Sequence, residues 1–428
     1  MRAHGTMFTV VMFAFCSGAL LCVSGGLARQ SLPSPTTRIG AGGFKLGLEN
    51  IPSSLVTRLK HKRIGLITNQ TGKDQRGRLT ADVLRSYGLS MQLLLAPEHG
   101  LTGKVQAEHG VADTHDSHSG LPVVSLYGAG GGKTIQEATM QNLDTLIFDV
   151  QDSGMRHYTY ISTLFEVLKA AAQYNKELIV LDRPNPLGSL MEGPLVEPDL
   201  QSFISIAPIP VRHGMTVGEL AGFFNAHLLQ KPALLYVVPM RNYQRHQTAL
   251  LADHFILSPN ITNKAACYGY SFLGLLGEVR PFHTCRGTDK TLQCIMLPKD
   301  MVNDALWHDM QQLLRSYHIE SELYAYTHDQ THKSYKGLYF SIADINKVSS
   351  WKVFLTVLQF FNKAGISLSF SPAFDKAVGT RSVQSLIKGT ITEYELQHAI
   401  SKELQQFYTR VRPLFIYLPH PSLSSLAG

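Results

Sequence analysis

Between residues 63 and 182, short runs of consecutive apolar residues alternate with stretches in which apolar positions recur every three or four residues. The runs at 63–68, 93–96, 123–127, 145–149 and 177–182 are short and bounded by Gly, Pro, Asn or Asp, and they read as strands buried on both faces. The spaced stretches at 48–60, 79–88, 134–142 and 163–174 read as helices, the second closed by Gly88. Strand alternating with helix predicts an α/β fold, a parallel sheet covered by helices. The C-terminal half reads as mixed α/β, with helices over 301–317, 351–363 and 393–407 and a strand over 337–342. Tyr324 and Tyr326 alternate as strand residues do and read as packing positions, with the lining of a sugar site as the alternative.

Polar residues collect where four of these strands end. Thr68-Asn69-Gln70-Thr71-Gly72 follows the first, Glu98-His99 the second, Asp149-Val-Gln151-Asp152 the fourth and Asp182-Arg183-Pro-Asn185 the fifth. Each cluster alone serves as a helix cap or turn. Together they put carboxylates, amides and an arginine on the carboxyl edge of one sheet, where open α/β folds bind ligands. Within this set Glu98 stands out, because a buried strand leads straight into it and Pro97 fixes the exit of the chain.

Two rival chemistries fit less well. Gly128-Ala-Gly-Gly-Gly132-Lys133-Thr134 looks like a phosphate loop but is one residue too short between its glycines, and it reads as a flexible turn with Thr134 as a helix cap. His99, Glu108, His109, Asp113, His115, Asp116 and His118 offer metal-ligand types at irregular spacing, which leaves a metal-dependent hydrolase as an alternative. No cofactor or metal is expected.

The chain has 428 residues, 44% hydrophobic and 17% charged, enough for a large core and two or three domains. Its 39 basic and 32 acidic residues leave a net charge of +7, dispersed and without basic–aromatic interleaving, so no nucleic-acid partner is expected. Arg2 and His4 precede an almost wholly apolar stretch at 7–23 and the small residues Gly26 and Ala28, the pattern of a signal peptide over 1–28. Export to the periplasm or the extracellular space is expected, and an uncleaved signal would be the sole membrane anchor. Leu21 is too bulky for lipid attachment at Cys22. Residues 29–43, rich in Ser, Pro, Thr and Gly, read as a linker. Beyond the signal only Cys267, Cys285 and Cys294 remain, and their spacing selects no disulfide pair.

Six motifs stand in order: Gly65-Leu-Ile-Thr-Asn-Gln-Thr-Gly72, Ala96-Pro-Glu-His-Gly100, Gly120-Leu-Pro-Val-Val-Ser-Leu-Tyr-Gly128, Phe148-Asp-Val-Gln-Asp-Ser-Gly-Met-Arg-His-Tyr-Thr-Tyr160, Leu181-Asp-Arg-Pro-Asn-Pro186 and Pro210-Val-Arg-His-Gly-Met-Thr-Val-Gly-Glu219. From about Phe44 to its end the chain resembles the NamZ/YbbC-like exo-β-N-acetylmuramidases of peptidoglycan recycling. The resemblance implies a Rossmann-like catalytic domain over 44–255, a smaller C-terminal α/β domain over 256–428 beginning near Ser258-Pro-Asn260, and a site in the cleft between them. The implied activity is release of terminal N-acetylmuramic acid from the non-reducing end of peptidoglycan fragments. The family's leading catalytic candidate corresponds to Glu98. One motif departs: the family's Glu-Gly-Thr-Asn-Leu-Ser-Glu-Gly-Arg-Gly-Thr is replaced by Glu278-Val-Arg-Pro-Phe-His-Thr-Cys-Arg286-Gly-Thr288, which keeps the first Glu, the Arg and the closing Gly-Thr.

Glycosidic cleavage needs a proton donor and a second carboxylate facing the anomeric carbon. Glu98 is the expected general acid, and Glu108, Asp149, Asp152 and Glu278 all qualify as its partner. Arg156 or Arg183 would fork onto the lactyl carboxylate. Asn69, Gln151 and His213 would serve the acetamido and hydroxyl groups, with His99, Asp149, Tyr158, Asn185 and Arg286 completing the substrate contacts. A carbohydrate-binding protein without catalysis is the other alternative.

Overall fold

The computed structural model describes residues 43–104, 114–128, 131–132, 135–248, 256–328 and 331–417. The expected signal peptide, nearly all of the linker, Glu108, His109, Asp113, Thr134, most of the glycine turn and the expected boundary at residue 255 lie outside them.

Seven strands make one sheet: Ile64–Thr68 (β1), Met91–Ala96 (β2), Thr114–His115 (β3), Pro122–Ser125 (β4), Thr145–Asp149 (β5), Glu177–Leu181 (β6) and Leu234–Val238 (β7), in the order β3-β4-β2-β1-β5-β6-β7. All pairings are parallel except that of the two-residue β3 with β4. The chain winds outward from β1 through β2 to β4, then crosses back to β5 and winds out the other way. This is the doubly wound order, with its switch point between β1 and β5.

Side-chain alternation explains why helices cover both faces. Leu66, Leu94, Ile147 and Ile179 point into one core with Leu55 and Leu59 of Ser53–Leu59 (α1) and Leu84 of Thr80–Ser86 (α2). Their neighbours Ile67, Leu95, Leu146, Phe148 and Val180 point into the other, shared with Leu164 and Leu168 of Tyr160–Gln173 (α3) and Leu220, Phe223 and Phe224 of Val217–His227 (α4). Each buried leucine or phenylalanine contributes about 1.5–3 kcal/mol relative to exposure. The helix expected over 48–60 is broken into a 3-10 turn at Gly47–Glu49 and α1, because Pro52 has no N–H to continue the ladder. The helix expected over 134–142 is reduced to Glu137–Gln141.

The second core continues into the C-terminal part through Lys264–Leu276 (α5), Asp304–Ser316 (α6), Ser350–Lys363 (α7) and Glu393–Val411 (α8). Cys294–Pro298 (β8), Glu320–Thr327 (β9) and Ser334–Ser341 (β10) form a three-stranded antiparallel sheet in the order β8-β10-β9. Ile295, Leu297, Leu338 and Phe340 join the core with Trp307 and Phe361. The opposite face of that sheet carries Cys294, Met296, Tyr324, Tyr326, Tyr335 and Tyr339, so the two tyrosines singled out in the sequence are strand residues packed around a small sulfur-rich cluster. No described helix is long and apolar enough to cross a membrane.

Candidate active site

The loops leaving β1 and β5 are stitched to each other. Thr71 donates its N–H (2.9 Å) and hydroxyl (2.6 Å) to Asn69 Oδ1, and its Oγ1 accepts from the Gln151 N–H at 2.9 Å. Gly72 is required here: a Cβ would collide with the Thr68 hydroxyl and crowd the Asp149 carbonyl. Gln151 Nε2 donates to the carbonyls of Asp152 (2.9 Å) and Pro184 (2.7 Å), tying in the end of β6.

Glu98 reaches this platform from β2. His99 and Gly100 both take left-handed conformations, φ 71° and 73°, and reverse the chain beside it. The Glu98 side chain is 7% exposed, and its Oε2 accepts the Thr159 hydroxyl at 2.5 Å. Thr159 stands at the N-cap position of α3 but spends its hydroxyl on Glu98 and not on the helix's own N–H groups. Tyr158 (2.9 Å), Tyr160 (3.1 Å) and Gln70 Nε2 (2.8 Å) all donate to the carbonyl of Leu257, fixing the stretch that carries Ser258-Pro-Asn260 against the sheet edge.

Asp152 is the second carboxylate at the platform. The Met215 N–H donates to His213 Nδ1 (3.2 Å), which assigns the ring proton to Nε2, and that group donates to Asp152 Oδ2 at 3.0 Å. The Gly154 N–H donates to the same oxygen at 2.6 Å. Asp152 Oδ1 is buried and without a hydrogen-bond partner among the described residues, as are Asn69 Nδ2, Gln70 Oε1, Gln151 Oε1 and both ring nitrogens of His157. Such groups are costly to leave unpaired, so their concentration at one strand edge marks a polar binding surface.

Tyr270 of α5 brings the C-terminal part to this surface. Its ring packs on His157 (centroids 4.7 Å apart) and Tyr158 (5.9 Å). Burial pushes its phenol up; the nearby charge of Arg286 pulls it down, and those of Glu98 and Asp152 raise it further, so all three charged groups lie within electrostatic reach of one ring. Arg286 is exposed and makes no hydrogen bond or ion pair among the described residues.

Several expected contacts are redirected. Arg156 is fully buried and spends every N–H: Nε on Ser205 Oγ (3.0 Å), Nη1 on the carbonyls of Pro194 (2.7 Å) and Ile209 (2.6 Å), Nη2 on those of Ala377 (3.4 Å) and Val378 (2.6 Å). It is a clamp between two parts of the chain and has no donor for a substrate. Burial without a carboxylate partner lowers its pKa to about 9. Arg183 forks onto Asp149 at 2.5 and 2.8 Å, with Thr80 donating to the same carboxylate, so these two neutralise each other beneath the site. Asn185 is consumed by the Met215 carbonyl and the Leu187 N–H, both at 2.9 Å. Glu278 is half-buried and accepts from the Ser371 hydroxyl, and no described contact joins it to Glu98. Of the irregular metal-ligand stretch, Asp116 is held by the Ser119 N–H and hydroxyl, and His118 pairs with Asp82.

Thr159, Gln70, His157 and Tyr270 did not emerge from the sequence as site residues. The first three lie inside or beside the quoted motifs. Tyr270 stands in an apolar helix, Lys264–Leu276, where nothing distinguishes it from core.

Residues 64–265 match the family model described as exo-beta-N-acetylmuramidase NamZ, N-terminal, and residues 268–417 the corresponding C-terminal model. The chain is 31% identical over 422 residues to the peptidoglycan beta-N-acetylmuramidase NamZ of Bacillus subtilis (strain 168), covering 95% of this chain and 99% of that protein. Crystal structures of two DUF1343 family proteins from Bacteroides fragilis NCTC 9343 superpose with TM-scores of 0.77 and 0.69, at 29% and 26% identity. Each covers 89% of this chain and 100% of the solved one.

Proposed function

The chain belongs to the exo-β-N-acetylmuramidase NamZ family, a family of glycosidases, and from that premise we propose that it releases terminal N-acetylmuramic acid from the non-reducing end of peptidoglycan fragments, with Glu98 as the general acid. The observation that carries the assignment is the grip of Thr159 on a nearly buried Glu98 at the switch point of the sheet. The Thr159 hydroxyl fixes where the carboxyl group points, and burial excludes water from the proton transfer.

Asp152 is the partner carboxylate. One of its oxygens is fixed by His213 and Gly154, which leaves Oδ1 to face the reacting sugar or the attacking water. Asn69 Nδ2, Gln70 Oε1 and Gln151 Oε1 are the amide groups for the acetamido and hydroxyl substituents. Arg286 replaces the two buried arginines as the fork for the lactyl carboxylate. The apolar stretch at 7–23 supports export before the enzyme meets its substrate, and N-terminal sequencing of the mature protein near residue 28 tests that part separately.

Incubation of the purified protein with a MurNAc-GlcNAc disaccharide should yield both free sugars. Glu98→Gln, shown folded by circular dichroism, should lose at least about 100-fold in kcat. Turnover at the native rate would show that Glu98 is not the acid.

A further inference from the structure

His283 and Met296 exchange both backbone hydrogen bonds, at 2.9 and 3.0 Å, so the segment that follows α5 runs antiparallel along β8. Two residues further on each arm stand Cys285, where the chain turns away in a left-handed conformation (φ 55°), and Cys294, and the two are buried in one cluster with Met296. The turn between them closes on itself: the Leu292 N–H donates to the Thr284 carbonyl (2.8 Å), and the Thr288 and Thr291 hydroxyls donate to the Cys285 carbonyl (2.8 and 3.1 Å). Both thiols are free and buried side by side in that cluster, with Cys294 Sγ 4.0 Å from the Lys290 carbonyl. Cys267, by contrast, points at the Ser153 carbonyl from α5.

We propose that Cys285 and Cys294 form a thiol–disulfide pair, closed by a small external disulfide, which pins the turn that carries Arg286 at the mouth of the site. In the first step the Cys285 thiolate attacks one sulfur of the external disulfide, forming a mixed disulfide and expelling one thiolate. Cys294 then gives up its proton to solvent and attacks the Cys285 sulfur, expelling the second thiolate. Two protein thiols become one cystine, and the external disulfide is reduced to two thiols.

The surroundings suit this order of events. The neighbouring Cys294 thiol, with His283 alongside, holds the Cys285 thiol below its ordinary pKa, whereas Cys294 is held above it. His283 is itself fixed by the Tyr326 hydroxyl at 2.7 Å on Nδ1 and by stacking on Tyr335 with centroids 4.5 Å apart. Residues 286 and 287 are exposed, so displacement of that turn opens the pair to an oxidant. Since Arg286 directly follows Cys285, the bond sets how far the guanidinium can stray. This consequence rests on Arg286 binding the substrate's carboxylate, but the bond itself does not.

Full-length protein should be incubated with oxidised glutathione or with dithiothreitol, alkylated and digested with trypsin, which cuts at Arg286 and Lys290 between the two cysteines. Oxidation should link the Cys285 peptide to the Cys294 peptide and leave Cys267 alkylated, and Cys285→Ser or Cys294→Ser should abolish the link. Reduction should raise KM for a muramic acid glycoside at least threefold in the wild type with kcat unchanged, and should leave the KM of Cys294→Ser unmoved. Thiols that stay alkylatable after oxidation, or a link through Cys267, overturn the proposal. A mapped bond with an unmoved KM overturns the pinning of Arg286. If neither redox form cleaves the glycoside, the proposed function fails while the peptide map still decides the bond.

Discussion

Thr159 donates its hydroxyl to Glu98 Oε2 across 2.5 Å, joining the end of β2 to the start of α3 over the carboxyl end of β1. Two segments sixty-one residues apart in sequence are thereby held at one point, and the Glu98 carboxyl group is oriented by a neutral hydroxyl. Leaving a buried acceptor without its donor costs about 1–3 kcal/mol. Thr159→Val should therefore lower kcat by roughly tenfold to a hundredfold with little change in KM, less than Glu98→Gln does. Steady-state kinetics on a MurNAc-GlcNAc disaccharide measure both, and a Thr159→Val enzyme with native kcat would remove Thr159 from the machinery.

The buried arginines are predicted to be matters of stability. Arg156→Met leaves the carbonyls of Pro194, Ile209, Ala377 and Val378 and the Ser205 hydroxyl without their donor. At about 1–3 kcal/mol for each buried group left unsatisfied, partly relieved by relaxation, the loss should be about 3 kcal/mol or more. Arg183→Met strands Asp149, a fully buried carboxylate, and should cost about 3–5 kcal/mol. Urea titration measures both losses. The specific activity of the molecules that remain folded should stay within about threefold of native; a selective rise in KM would return either arginine to the substrate.

The parallel sheet could be read from the chain because five of its strands are short apolar runs, four of them ended by polar clusters, and burial on both faces leaves that mark. The clusters all stand at the carboxyl edge of that sheet, where the loops after β1, β5 and β6 are tied together. What the sequence withheld is how each polar group is spent. Arg156, Arg183 and Arg286 are equivalent as letters, yet the first is consumed by carbonyls from residues 194 to 378, the second by Asp149, and the third has no partner among the described residues. Such pairings depend on segments that meet only in three dimensions. Strand β7 left a weaker trace because it is only partly buried at the sheet edge, and its exposed Leu234 blurs the pattern. Tyr270 could not be found at all, since half-buried tyrosine in an apolar helix has the same local signature whether it packs or binds.

His157 should make stability depend on pH. Burial, with Arg156 alongside, lowers its pKa from 6.5 to about 3, so the folded protein keeps the ring neutral where the unfolded chain protonates it. Between pH 6.5 and about 3 the unfolded state binds the extra proton, so this part of the stability is fully present above pH 6.5 and is lost as pH falls. Because the residue as a whole is only half-buried, the loss should stay below the limit of about 1.4 kcal/mol per pH unit. Urea unfolding at pH 6.5 and 4.5 should show a smaller acid-side loss for His157→Asn than for the wild type, and identical slopes would show that His157 titrates normally.

Arg286 is the arginine whose replacement should be felt by the substrate. It follows Cys285 in an exposed turn closed by Gly287 at φ 86°, and it lies within electrostatic reach of Tyr270, as Glu98 and Asp152 do. The site would otherwise present two carboxylates to a substrate that carries a carboxylate of its own, so a cation at its mouth is what the chemistry requires. Arg286→Ala should raise KM for a muramic acid glycoside more than tenfold, ~1.4 kcal/mol of binding, and should leave the melting temperature unchanged because the side chain has little packing to lose. Arg286→Lys should recover only part of the loss, since lysine supplies the charge without the two-pronged geometry. The deciding control is the same glycoside with its lactyl carboxylate converted to the amide: wild type and Arg286→Ala should bind it alike. If Arg286→Ala weakens the amide as much as the acid, the guanidinium serves the sugar ring or the fold, and the lactyl carboxylate is recognised by another group.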